Sequence, residues 1–97
     1  MKSIIQREKQ CLVCGNYQVE EHHCIYGTAN RKLSEKYGLK VWLCNRHHTA
    51  SFYQDKSAAV HFNKVLDKKI KQLAQKSFEY HYPELNFSKI FGKNYLD

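Results

Sequence analysis

No apolar run in this 97-residue chain approaches the roughly 20 residues that a membrane-spanning helix needs. The opening residues, Met1 to Lys9, hold no apolar core long enough for a signal peptide, which predicts a cytoplasmic chain with no membrane partner. There are no repeats and no low-complexity linkers, so the length implies one domain. Acidic residues are scarce, nine against sixteen Lys and Arg, for a net charge of +7. That balance favours a polyanionic partner, most simply nucleic acid, although a solvated lysine face accounts for the charge equally well. Cysteine is limited to four residues. A chain this short buries only about two-thirds of its unfolded surface and commonly needs a staple. In a reducing cytosol that staple is metal rather than disulfide.

What the chain does contain is concentrated in three clusters: Cys11-x-x-Cys14, His22-His23, and Cys44-Asn45-Arg46-His47-His48. The third follows an apolar run, Val41-Trp42-Leu43, and supplies partners for the other two. Residues 1–10 read as a polar lead-in, 11–63 as the site-bearing core, and 64–97 as a helix and a docked tail. A first strand is expected over Tyr17–Cys24 and a second over Lys40–Leu43, where β-branched and aromatic residues gather. Between them Gly27–Lys32 reads as a polar basic loop, followed by a short helical turn capped by Ser34 and closed by Gly38. A helix is expected from Asn45 or Arg46. A longer one runs from Ala58 to about Tyr80, capped by Ser57, with apolar residues at threes and fours, and Pro83 ends it. The aromatic tail, Leu85–Leu96, is expected to dock.

Cys11, Cys14, Cys44 and His47 make a C-x2-C pair and a C-x2-H pair. Two such pairs close a tetrahedral N/S shell, the arrangement of structural zinc. Cys24 is left over as a small buried hydrophobe. Neighbouring side chains on a strand diverge, so His22 and His23 can take different tasks. His22, His48 and His61 can form a three-histidine metal site with open positions, leaving His23 beside it as a general base. Such a metal stabilises charge on a phosphate and on a leaving 3′-oxygen. Three histidines suit Zn²⁺ or Ni²⁺ by ligand type, while Mg²⁺ or Mn²⁺ can work with water and phosphate completing the shell. His61 taken alone reads equally well as filler, and His81 reads as filler.

The order of a zinc knuckle, a strand ending Glu21-His22-His23, a basic loop, a strand ending Leu43-Cys44 and then x-x-His-His resembles the HNH endonucleases. The resemblance covers about Cys11 to Asn63. It implies an α+β, zinc-stabilised ββα-metal (HNH/His-Me finger) fold with a long C-terminal helix. It also implies a divalent-metal-dependent nuclease that nicks or cuts DNA, with His23 as base and His22, His48 and His61 as ligands. Within the superfamily, Ala59-Val60-His61-Phe62-Asn63 and Ile90–Leu96 look like small phage and prophage proteins related to the phage recombination-enhancement nuclease. That implies a bacterial host cytosol and a recombination or other phage protein as a further partner. Two departures stand out. The family's middle Asn, which pins the loop of the motif, is missing from Tyr37–Trp42, leaving Asn30 or backbone bonds to hold that loop. The second zinc pair ends in His rather than the commoner Cys, so His47 and His48 can exchange roles.

Arg31 and Lys32 are the candidates for holding the scissile phosphate, with Arg46 next. Lys64, Lys68, Lys71 and Lys76 form a stripe that either attracts DNA backbone or simply faces solvent. No recognition helix is evident. A zinc-stabilised nucleic-acid-binding module without catalysis also explains the charge and Cys11, Cys14, Cys44 and His47. It leaves His22, His23, His48 and His61 without a task. A redox or metal-carrying protein explains the cysteines alone.

Overall fold

In a computed structural model that describes all 97 residues, β1 (Glu20–His23) and β2 (Lys40–Leu43) form a two-stranded antiparallel sheet. Helix α1 (Thr28–Tyr37) connects them. A single 3-10 turn (Asn45–His47) follows β2, then α2 (Lys64–His81) and α3 (Phe87–Phe91). No helix is long and apolar enough to cross a membrane. The register pairs Glu20 with Leu43, Glu21 with Trp42, His22 with Val41 and His23 with Lys40. Alternation therefore puts His22, Val41 and Leu43 on the buried face of the sheet and Glu21, His23, Lys40 and Trp42 on the outer face. One core runs from Cys11 through Val41, Leu43, Ile70, Ala74 and Phe78 to Phe87 and Phe91.

Several expected elements are shifted. Strand β1 is only the last part of Tyr17–Cys24. Asn16 Oδ1 accepts the Gln18 N–H at 2.9 Å, which turns the chain just before it. The expected basic loop over Gly27–Lys32 is mostly helix, because Leu33 and Tyr37 gain core contacts if winding starts at Thr28. Ser34 is then no cap. It lies fully buried inside α1, where its hydroxyl donates to the Ile25 carbonyl (2.6 Å) and accepts the Ile25 N–H (3.2 Å). Ser34 thus pins the β1–α1 connection, a task expected of Asn30 or of backbone bonds. Asn30 instead donates to the Phe91 carbonyl at 3.3 Å and ties α1 to α3.

The helix expected from Asn45 or Arg46 is one 3-10 turn, and α2 begins at Lys64 rather than Ala58. Its cap is Asn63, whose Oδ1 accepts the Leu66 N–H at 3.0 Å, and not Ser57. Ala59 and Val60 are buried in the preceding turn, where the Val60 N–H reaches the His47 carbonyl at 2.8 Å. Phe62 and Val65, expected on the apolar stripe, are 60% and 65% exposed. Helix α2 stops at His81, two residues before Pro83, whose ring bars the helical conformation at Tyr82. The tail docks as expected. Phe87 and Phe91 stack at 4.6 Å beside Phe78, and buried Gln75 accepts the Tyr95 N–H at 2.8 Å.

Residues 1–10 do more than lead in. They run along the free edge of β2, where an uncovered row of backbone groups would otherwise invite pairing. Ile4 N–H donates to the Gly38 carbonyl (2.9 Å), Ser3 Oγ to the Lys40 carbonyl, and Trp42 N–H to Gln6 Oε1 (2.7 Å). Ile4 and Ile5 pack on the core. This approach needs glycine at position 38: a Cβ there would sit 2.5 Å from the Lys2 carbonyl oxygen, on a backbone with φ of 74°. We expect Gly38→Ala to cost about 1–3 kcal/mol, roughly 5–20 °C in Tm, with circular dichroism as the readout. An unchanged Tm would mean that the N-terminal segment does not hold this edge.

Candidate metal centres

Cys11 and Cys14 lie on a tight turn closed by Gly15 N–H to Cys11 O and Cys11 N–H to Asn16 O, both 2.8 Å. Gly15 has φ of 79°, which suits glycine at the corner. Leu12 N–H donates to the Trp42 carbonyl at 2.9 Å and fastens this turn to β2. Cys44 leaves the end of β2 extended, and its carbonyl accepts the N–H of His47 (3.0 Å) and of His48 (2.9 Å). The four side chains converge. Cys14 Sγ is 3.7 Å from Cys44 Sγ, and His47 Nδ1 is 3.2 Å from Cys44 Sγ and 3.8 Å from Cys11 Sγ. A zinc tetrahedron with Zn–S near 2.3 Å and Zn–N near 2.0 Å has S···S edges of about 3.8 Å and S···N edges of about 3.5 Å. Cys11, Cys14, Cys44 and His47 are thus compatible with a structural zinc site. Burial pushes the Cys44 thiol up to about 11, helped by hydrogen bonds that it donates to Cys14 and Cys11. Burial also raises Cys11, but backbone N–H groups around its sulfur outweigh it and leave that thiol lowered. Cys24, as expected, is fully buried outside the cluster, and burial pushes its thiol up.

His22, His48 and His61 form a second group. Their ring centroids make a near-equilateral triangle of 5.2, 5.2 and 5.1 Å, and one nitrogen of each lies within 4.8 Å of the others. His22 is 2% exposed and its Nε2 is buried without a hydrogen-bond partner. Burial, with His48 and His61 nearby, lowers its pKa to about 3, so the ring is neutral and keeps a lone pair for a metal. Burial lowers His61 in the same direction. His61 lies in the turn before α2 rather than on the helix, and its N–H reaches the His48 carbonyl at 3.4 Å. The 3-10 turn divides the histidine doublet, sending His47 to the cysteines and His48 to this triangle.

His48 Nδ1 lies 2.8 Å from Glu20 Oε1. The hydrogen bond from His48 holds the Glu20 carboxyl below the usual range, so it is ionised and can only accept. Nδ1 is therefore the donor, and Nε2 is the nitrogen left to face a metal. This is the carboxylate–histidine pairing that orients metal ligands. Asn45 Nδ2 holds the other Glu20 oxygen at 3.1 Å. On the outer face, His23 Nε2 lies 3.0 Å from Glu35 Oε1. Bonds from the N-terminal ammonium, His23 and Lys40 hold the Glu35 carboxyl well below its ordinary value. By the same reasoning Nε2 donates, and Nδ1 is the basic atom of His23. His23 stands on the opposite face of the strand from His22, yet lines the same open cleft of about 450 Å³ together with His48, His61 and Arg31.

Arg31 is thus beside the triangle. Lys32 is one step away, in a neighbouring cleft with His23, Arg31 and Glu35. Arg46 is not brought to this site. It lines a separate cleft with Asn45, Phe52 and Tyr53. Of the lysine stripe, Lys64, Lys68 and Lys76 are exposed, but Lys71 is not a solvated residue. It pairs with Asp67 at 2.8 Å and sits 4.4 Å from the Tyr26 ring, which itself packs on His22 and His61.

The residues overlooked in the sequence are Glu20, Glu35, Asn45 and Tyr26. Glu20 was within reach, since it shares the strand face of His22 by simple alternation. Glu35 was not, because its approach to His23 depends on where α1 starts. Comparison of the chain with family models, curated proteins and solved structures finds no match. We expect the purified protein to hold one tightly bound zinc that Cys11→Ala loses, with a fall in Tm of at least about 10 °C. Elemental analysis and thermal unfolding measure both. A Cys11→Ala protein that keeps its zinc and its Tm would reject the site.

Proposed function

We propose that this chain is a metal-dependent DNA endonuclease of the HNH type, hydrolysing phosphodiester bonds on a zinc-stabilised ββα-metal scaffold. The observation that carries this reading is the triangle of His22, His48 and His61 opening into a cleft that His23 and Arg31 also line. A structural zinc site alone does not require this second set of histidines. A divalent ion held by the three imidazoles would supply a Lewis acid for the phosphate and its leaving 3′-oxygen.

The remaining tasks fall to the chain. His23, with Nε2 committed to Glu35, offers Nδ1 to take a proton from an attacking water. Arg31 offers a guanidinium with two parallel donors to the scissile phosphate, and Lys32 adds a point charge beside it. Glu20 keeps the His48 ring in the tautomer that binds metal. Arg46, in its separate cleft, meets DNA only away from the bond that is cut.

The test is nicking of supercoiled plasmid with Mg²⁺, Mn²⁺, Ni²⁺ or Zn²⁺. His23→Ala is expected to lower the rate at least about 100-fold, the scale of a lost general base, while DNA binding survives. If that variant cuts like the parent, His23 is not the base. If the parent cuts with none of the metals, the nuclease reading fails. Glu20→Gln is expected to weaken metal affinity about 10–100-fold by titration calorimetry, with the structural zinc retained.

A further inference from the structure

The N-terminal segment supplies a surface that the nuclease reading does not use. Along β2 it forms a cleft of about 660 Å³ lined by Lys2, Gln6, Arg7, Lys9, Lys40 and Trp42. Lys40 is already paired with Glu35 at 3.2 Å and Glu21 at 3.6 Å. Lys2, Arg7 and Lys9 have no acidic partner, and all three are exposed. Lys9 Nζ stands 5.0 Å from the centre of the Trp42 ring. These cations are held in place rather than trailing, because Ser3, Ile4 and Gln6 between and beside them are bonded to the backbone of residues 38–42.

The sheet register links this cleft to the proposed active centre. His23 pairs with Lys40 and Glu21 with Trp42, so these four side chains share the outer face. Arg31 and Lys32 share a cleft with His23, and Lys40, the register partner of His23, lines the N-terminal cleft. The two carboxylates along the way, Glu21 and Glu35, are engaged by His23, Lys40 and the N-terminal ammonium. Both are therefore screened along the path, and Glu8, exposed and unpaired between Arg7 and Lys9, does not line the cleft.

We propose that this cleft is a second anchoring site for the DNA backbone, in which Lys2, Arg7 and Lys9 hold phosphates flanking the one presented to His23. The proposal rests on DNA being the partner, but it requires no cleavage. Three phosphate contacts release counterions, and each contributes about 0.9 to the slope of log K against log salt on duplex DNA.

The test uses the full-length, zinc-loaded protein, a fluorescent duplex and anisotropy titrations at several salt concentrations. Lys2→Ala/Arg7→Ala/Lys9→Ala should lower the slope by about 2.7 and weaken binding at low salt, with Tm and zinc content unchanged. Lys2→Arg/Lys9→Arg should keep the slope. A control triple, Lys64→Ala/Lys68→Ala/Lys69→Ala on the exposed side of α2, should keep it too. Trp42 is the only tryptophan, so duplex should alter its emission in the parent and not in the cleft triple. An unchanged slope in the cleft triple, or an equal fall in the control, would overturn the proposal. So would loss of binding to phosphatidylserine vesicles with DNA binding intact, which would assign the cleft to a lipid surface. Plasmid nicking is scored separately, so a protein that binds in this way but never cuts would refute the nuclease reading alone.

Discussion

The clasp of Cys11, Cys14, Cys44 and His47 is the constraint on which the rest of the molecule depends. The sheet has only two strands of four residues each, too little to be independently stable. The clasp joins the turn before β1 to the turn after β2, so it closes the sheet at the end where Leu12 also bonds to Trp42. It sets the start of the 3-10 turn, and a 3-10 turn rotates about 120° per residue. His47 and His48 therefore diverge sharply although adjacent. A zinc ion seated among the cysteines would hold His48 toward His22 and His61 without touching it.

The pleat of β1 supplies the second separation. Consecutive histidines leave the strand on opposite faces, His22 as the buried corner of the triangle and His23 onto the outer surface. Each of His48 and His23 is backed by a carboxylate, from Glu20 and Glu35. These bonds are more than ion pairs. An ionised carboxylate only accepts, so each one decides which ring nitrogen keeps its lone pair. In the proposed function, metal binding and proton transfer would both depend on that choice.

Much of the candidate site was legible because its signals are local. A C-x2-C pair and a C-x2-H pair are knuckle spacings whatever the tertiary context, and their convergence agrees with the zinc expectation. β2, the buried Cys24 and the docking of the tail also follow from short-range chemistry. Element starts were less legible. Thr28–Arg31 looks like loop because nothing in it is strongly apolar, and it winds because Leu33 and Tyr37 must reach the core. Ser57 and Asn63 are both good caps, and the burial of Ala59 and Val60 in the turn between them gave the choice to Asn63.

The sequence alone determined which residue types were available and how closely along the chain they were paired. It limited the clasp to Cys11, Cys14, Cys44 and one histidine of a doublet, and it marked His22 and His23 as neighbours bound to diverge. Tertiary structure decided the rest, because those choices turn on contacts between distant segments. Packing of 59–61 against His47 and His48 brought His61 to the triangle. Helix α1 brought Glu35 to His23, and the 3-10 turn after β2 put Arg46 in another cleft. The polar lead-in could cover the edge of β2 only because Gly38 leaves room for the Lys2 carbonyl, a clearance that no local pattern encodes.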